Sequence, residues 1–271
     1  MSDMNVKSPT ETLIAANAAG MAKASATRNY GRLAIMSALA GCYIAFGGVL
    51  SLIIGYGFPE ITANNPALQK LLSGCVFPIG LILVVVLGAE LFTGNNALLM
   101  PPTLQGTCSW RTVILNWTLV WLGNLIGALL FTYFMVWQCG LISNDPWHSA
   151  ITAIAHAKVS MPWFTVMLKG IGANWCVCLA VWLALSGHSL IEKMAGCWLP
   201  VMAFVALGYE HSIANMFFIP AGIMAGAEVG ITRMLLANLI PATIGNIIGG
   251  ALLVGCIHTW LHAPTRLFHL N

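Results

Sequence analysis

Charge is what this sequence has least of. Asp, Glu, Lys and Arg make up 7% of its 271 residues, where a water-soluble globule carries about a quarter. That scarcity excludes a soluble enzyme or a solvated binding module. The net charge is only +3, and the basic residues form no cluster, which excludes a nucleic-acid-binding surface. The first thirty residues lack the apolar core of a secretory leader, so the N-terminus is expected to be retained. The eight cysteines sit mostly inside apolar runs, without C-x-x-C spacing or a nearby histidine. Neither a disulfide framework nor a metal site is expected, and no cofactor motif is present.

What the chain has in excess is apolar surface: 59% of its residues are hydrophobic and its mean hydropathy is +0.85. The fold class this implies is an all-α membrane protein. Six hydrophobic crossings are expected, at about Leu33–Tyr56, Leu71–Met100, Val113–Val136, Phe164–Leu185, Trp198–Met224 and Leu236–Ile257. An even number puts both termini on one side. That side would hold Lys7, Lys23, Arg28, Arg32, Arg111, Lys193 and Arg266, against Lys70, Lys158, Lys169 and Arg233 on the other. The excess assigns both termini to the cytoplasm. The expected organisation is an N-terminal cytoplasmic or interfacial segment (1–32), a six-helix transmembrane domain (33–258) and a short cytoplasmic tail (259–271).

Ser8-Pro9-Thr10-Glu11 reads as a helix start, with a serine N-cap, proline at the first helical position and glutamate at the third. The alanine-rich stretch that follows, Leu13 to Arg28, is expected to lie at the membrane surface and bring Lys23, Arg28 and Arg32 toward lipid headgroups.

The second and fifth apolar runs each contain a polar insert. Gly88-Ala89-Glu90-Leu91-Phe92-Thr93-Gly94-Asn95 and Gly208-Tyr209-Glu210-His211-Ser212-Ile213-Ala214-Asn215 share the frame Gly-x-Glu-x-x-x-x-Asn. A carboxylate and a histidine at mid-depth are costly and mark a functional site by default. Gly94 with Asn95 and Asn96 makes a poor helix interior, and Thr93 or Ser212 could cap a helix restarting after a break. Two discontinuous helices are therefore expected, with their irregular backbone buried or lining a cavity. A second repeat joins Gly123-Asn124-Leu125-Ile126-Gly127 in the third run to Gly245-Asn246-Ile247-Ile248-Gly249 in the sixth. Two halves of three crossings each must insert with opposite orientation, which is a 3+3 inverted repeat. The first and fourth runs show no such match. The glycine pairs read as close-packing faces.

Two half-helices beginning at mid-depth would present free N–H groups and positive dipole ends to an anion. His211 adds a donor whose charge can change near neutral pH, and Thr93 a hydroxyl at the opposite break. Glu90 and Glu210 are read as acceptors for the broken backbone, and Asn95 and Asn215 as scaffolding. Phe77, Phe92 and Phe204 could be core residues by composition alone. Asn65-Pro66-Ala67 spells the water-channel signature but lies in a polar loop without a second copy, and reads as a turn.

These motifs, with Asn174-Trp175-Cys176-Val177-Cys178-Leu179-Ala180-Val181-Trp182 and Asn238-Leu239-Ile240-Pro241 through Gly250, resemble the formate/nitrite transporters over Ala15 to His258. The resemblance implies an aquaporin-like fold with broken second and fifth helices. It also implies a homopentamer in the plasma membrane (the inner membrane of a bacterium), with one pore per protomer. By motif, His211 is the central pore histidine and Thr93 its partner, while Asn174 and Lys158 form a polar pair toward the outer vestibule. Phe77, Leu81, Leu91, Phe92, Val177 and Phe204 fall at two apolar constrictions. The implied cargo is a small weak-acid anion, formate ahead of nitrite, with hydrosulfide, acetate and lactate as the family's wider range. It would cross either as the anion or after protonation at His211. A membrane enzyme using Glu210 and His211 as acid and base is the rival class, but no nucleophile, metal set or soluble catalytic portion accompanies them.

Overall fold

The computed structural model of the chain describes residues 6–263. Among these residues, six helices are long and apolar enough to cross a membrane: Tyr30–Tyr56, Pro66–Leu87, Trp110–Trp137, Trp163–Ser186, Leu190–Leu207 and Ile231–His262. No β-strand occurs among the described residues, which hold a single isolated bridge between Val6 and Gly187. Their outer faces keep large apolar side chains exposed, among them Ile35, Leu130, Phe164, Leu207 and Trp260. That is the surface expected where lipid or a neighbouring subunit replaces water.

Small residues set the packing. A Cβ on Gly127 would overlap the Ala38 carbonyl, and one on Gly249 would overlap the Ile171 carbonyl. The first crossing thus packs on the third as the fourth packs on the sixth, at glycines where backbones touch. The inverted repeat therefore extends to the first and fourth crossings, whose side chains do not betray it.

Several elements differ from the sequence reading. The fifth crossing begins at Leu190, eight residues before Trp198, because Ser189 and Glu192 close a capping box there. The last helix continues to His262, so Thr259–His262 are helical and continuous with the sixth crossing; residues 264–271, including Arg266, lie outside the described residues. A 14-residue helix, Trp147–Ser160, occupies the link between third and fourth crossings, where no element was expected. Asn65-Pro66-Ala67 begins a helix, with Asn65 at its N-cap and Pro66 at its first position.

The N-terminal helix forms as its capping box predicts, from Pro9 to Ala26 with Ser8 and Glu11 bonded reciprocally. One of its faces is buried, and Lys23 departs from the sequence reading. Thr12, Leu13, Ala16 and Gly20 are buried, and a Cβ on Gly20 would overlap the Leu98 carbonyl, so this face packs on protein rather than lipid. Arg28 and Arg32 are exposed, but Lys23 turns inward to Glu90. A stripe of small residues with almost no amphipathic contrast suits close helix packing better than insertion among headgroups.

Candidate functional site

Each polar insert stops a helix in the same way. Helix Ile79–Leu87 ends at Gly88, with φ 73°, and helix Leu190–Leu207 ends at Gly208, with φ 71°. Glycine adopts this left-handed cap without the steric cost a side chain would meet. Four residues later the chain re-enters helix at Phe92–Leu98 and at Ser212–Met224, through Leu91 and His211 in extended conformation. The N-cap positions are therefore Leu91 and His211, not Thr93 and Ser212. The imidazole Nδ1 of His211 does the capping, accepting the Ala214 N–H at 3.1 Å.

Asparagines from the third and sixth crossings hold the breaks together. Asn124 Oδ1 accepts the Phe92 N–H at 2.9 Å, while its amide donates to the carbonyls of Ser37 and Glu90 at 2.8 and 2.9 Å. Asn246 does the same for the Ser212 N–H at 2.9 Å and the carbonyls of Gly170 and Glu210 at 2.8 and 3.0 Å. One amide side chain supplies both the donor and the acceptor that an interrupted backbone needs. This corrects the role given to Glu90 and Glu210, whose carboxylates accept no backbone N–H among the described residues. They accept instead from Asn95 at 2.7 Å and Asn215 at 2.6 Å. Those two amides also donate to Asn116 and Asn238, at 2.9 and 2.7 Å.

Each carboxylate also faces a lysine from a helix outside the six crossings. Lys23 Nζ lies 3.2 Å from Glu90, and Lys158 Nζ lies 3.0 Å from Glu210. The amide donors and the ammonium together satisfy a charge that would otherwise be very costly at this depth. Asn116 reaches Thr27 beside Lys23, and Asn238 reaches the Lys158 carbonyl. The N-terminal helix and Trp147–Ser160 are thus counterparts in the two halves.

Two cavities approach this centre. One of about 640 Å³ is lined by Lys23, Asn29, Arg32, Leu81, Glu90 and Leu91. The other, of about 200 Å³, is lined by Tyr56, Lys70, Phe77, Lys158, Phe204 and His211. Arg32 and Tyr56 stand at opposite ends of the first crossing, roughly 35 Å apart at 1.5 Å per residue, so the cavities enter from opposite faces. Between them, His211 Nε2 meets the Thr93 hydroxyl at 2.9 Å. Phe204 stacks on His211 with centroids 5.8 Å apart, and its edge contacts Phe77, also at 5.8 Å.

The remaining sequence candidates separate. Leu81 and Leu91 border the larger cavity. Val177 is buried in the core. Phe92 lines neither cavity; it points the other way, edge-on to Trp117 at 6.4 Å, beside an outer groove. Asn174 and Lys158 form no pair. Lys158 is held by Glu210, whereas Asn174 is fully buried and donates to the carbonyls of Thr93 and Asn246 and to Asn96 Oδ1. The sequence reading missed Asn116, the bracing roles of Asn124, Asn238 and Asn246, and the pairing of Lys23. A signal was present in part, since Asn116 and Asn124 recur as Asn238 and Asn246 at one common offset of 122 residues (238 − 116 and 246 − 124).

The sequence model described as formate/nitrite transporter matches residues 10–260. The chain belongs to the formate/nitrite transporter family. Among curated relatives, it is 41% identical over 271 residues to a probable formate transporter of Methanothermobacter thermautotrophicus, covering 94% of this chain and 97% of that one. Among solved structures, it is similar to an FNT family ion channel with a TM-score of 0.84 and 30% identity, over 94% of this chain and 100% of the other. It is also similar to a pentameric formate channel with formate bound, with a TM-score of 0.78 and 32% identity, over 87% and 98%. Membership of a formate/nitrite transporter family, with six apolar helices, makes this a multi-pass membrane transporter.

Proposed function

We propose that this protein conducts small monovalent weak-acid anions, formate first, through one pore in each protomer of a homopentamer, and that it catalyses no reaction. The observation that carries the reading is the approach of two cavities, from opposite faces, to one wall built around His211 and Thr93. The formate-bound pentameric neighbour supports both the anion and the assembly. In this reading both termini are cytoplasmic, in the plasma membrane, or the inner membrane of a bacterium.

An anion entering either cavity finds a lysine beside a carboxylate, and then an apolar ring. Phe77 and Phe204 form the ring on the smaller cavity; Leu81 and Leu91 form it on the larger. Moving a bare charge past such rings is expensive. The hydrogen-bond donors of the central wall offset part of that cost, and protons accompany or precede the anion according to the pH on each side. Asn174, Asn95 and Asn215 shape the wall from behind.

Nitrite is the second reading, favoured by the family description, which names both ions. Flux of formate, nitrite, hydrosulfide, acetate and lactate into liposomes carrying the purified protein, with chloride as control, separates these readings. Formate fastest is the expected order; nitrite at least tenfold faster than formate would replace formate by nitrite.

A further inference from the structure

The central histidine is held from two sides, and the two contacts are not equivalent. A backbone N–H can only donate. Since Ala214 N lies 3.1 Å from His211 Nδ1, that nitrogen must be the unprotonated acceptor, and the ring proton of the neutral imidazole belongs on Nε2. The 2.9 Å contact between Nε2 and Thr93 Oγ1 is then directed, with histidine donating and threonine accepting. The hydroxyl proton of Thr93 remains unspent, because Thr93 Oγ1 meets no other partner among the described residues. The Thr93 side chain is fully buried, in the wall between the two cavities. A second proton on His211 would set Nδ1–H against the Ala214 N–H, removing the cap from helix Ser212–Met224.

We propose that His211 is locked as its neutral Nε2–H tautomer by the N-cap of helix Ser212–Met224. It is a positioning residue that aims the Thr93 hydroxyl as the donor met by the permeating anion, and not an acid that hands over its own proton. This rests on the anion-channel reading above. Thr93 is itself braced: its carbonyl accepts from Asn174 Nδ2 and Cys178 Sγ, both at 3.2 Å. The titratable groups around the pair are Lys158 and Glu210, bonded to each other, with Lys70, Tyr56 and Tyr209 around the smaller cavity and Cys178 behind Thr93. Lys23 and Glu90 lie across the wall. A neutral, directed donor suits a compact oxyanion with exposed lone pairs, and favours a carboxylate over chloride.

The test combines a spectroscopic and a transport measurement on the full-length protein in lipid. With ¹⁵N-labelled histidine, the His211 signals, assigned by their loss in His211→Asn, should show an unprotonated Nδ1 and a protonated Nε2 unchanged from pH 8 to pH 5. Formate flux should fall at least tenfold in Thr93→Val, with most of that loss recovered in Thr93→Ser. It should fall similarly in His211→Leu, and largely recover in His211→Asn, which keeps both a cap acceptor and an N–H donor. A doubly protonated imidazole appearing in step with flux would overturn the inference, as would undiminished flux in Thr93→Val. A locked tautomer in a protein that moves no formate would support the lock and overturn only the substrate reading.

Discussion

Lys158 and Glu210 meet at 3.0 Å although the lysine sits on a helix outside the six crossings and the carboxylate in the break between helices Leu190–Leu207 and Ser212–Met224. Lys23 and Glu90 repeat the arrangement at 3.2 Å on the other face. Each buried carboxylate is therefore neutralised from outside the bundle, and each peripheral helix is tied to a break by charge.

The first prediction concerns those ties. Lys23→Met leaves Glu90 buried beside Asn95 without its cation. Removing one partner of a buried pair costs about 3–5 kcal/mol, discounted here because the Lys23 and Lys158 side chains each keep some contact with water. Lys158→Met should destabilise by a similar amount. Thermal unfolding in detergent measures both. The double variant Lys23→Met/Glu90→Gln should regain a large part of the loss, whereas additive losses would mean that the pair is not coupled.

Asn124 and Asn246 should be the most sensitive polar residues of the fold outside the pore. Alanine at either position leaves one backbone N–H and one carbonyl of the break, that of Glu90 or Glu210, without the asparagine partner, at about 1–3 kcal/mol for each buried group. The two variants should lose stability to a similar degree. A silent Asn246→Ala would contradict the bracing role.

Close packing of the N-terminal helix makes Gly20 a one-residue test of its position. Gly20→Val sets a branched side chain against the Leu98 carbonyl and Pro102, so Pro9–Ala26 should detach while the six crossings persist. Hydrogen exchange along residues 9–26 should rise at least tenfold. Unchanged protection there would show that the helix docks elsewhere.

Acid should loosen the start of that helix. The Ser8 backbone N–H and hydroxyl hold the Glu11 carboxyl below its usual range. Because its folded value is the lower one, the stabilisation is present above the unfolded value and is lost as pH falls through the folded one. Amide exchange at Ser8 and Thr12, corrected for intrinsic rates, should therefore accelerate below about pH 4. Glu11→Gln should remove that acid step.

Much of this was legible in the chain because both halves write the same frame. Apolar run length gave the six crossings, while Glu90 and Glu210, Asn95 and Asn215, and the glycine faces around Asn124 and Asn246 are side-chain repeats that gave the inverted halves. The match between first and fourth crossings was not legible because it lies in backbone atoms. Asn124 and Asn246 read the carbonyls of Ser37 and Gly170, positions with unlike side chains. Lys23 looked like a headgroup anchor because the helix before Arg28 has no apolar stripe to announce which face is buried. Helix Trp147–Ser160 carries His148, His156 and Lys158, and such polarity resembles a loop until Glu210 supplies the partner. The histidine cap was hidden for a different reason: His211 was read for its charge, and its Nδ1 is used for geometry.

The central claim is that anions cross each protomer through the wall between His211 and Thr93. Formate uptake into liposomes, followed by stopped flow after a formate jump, tests it most directly when native protein is compared with Thr93→Trp, which fills that wall. The account predicts native uptake at least tenfold faster than empty liposomes and chloride uptake well below formate. It also predicts loss of the formate signal in Thr93→Trp, provided that variant still purifies as the native oligomer. Native uptake no faster than empty liposomes, or full uptake by an intact Thr93→Trp oligomer, would contradict it.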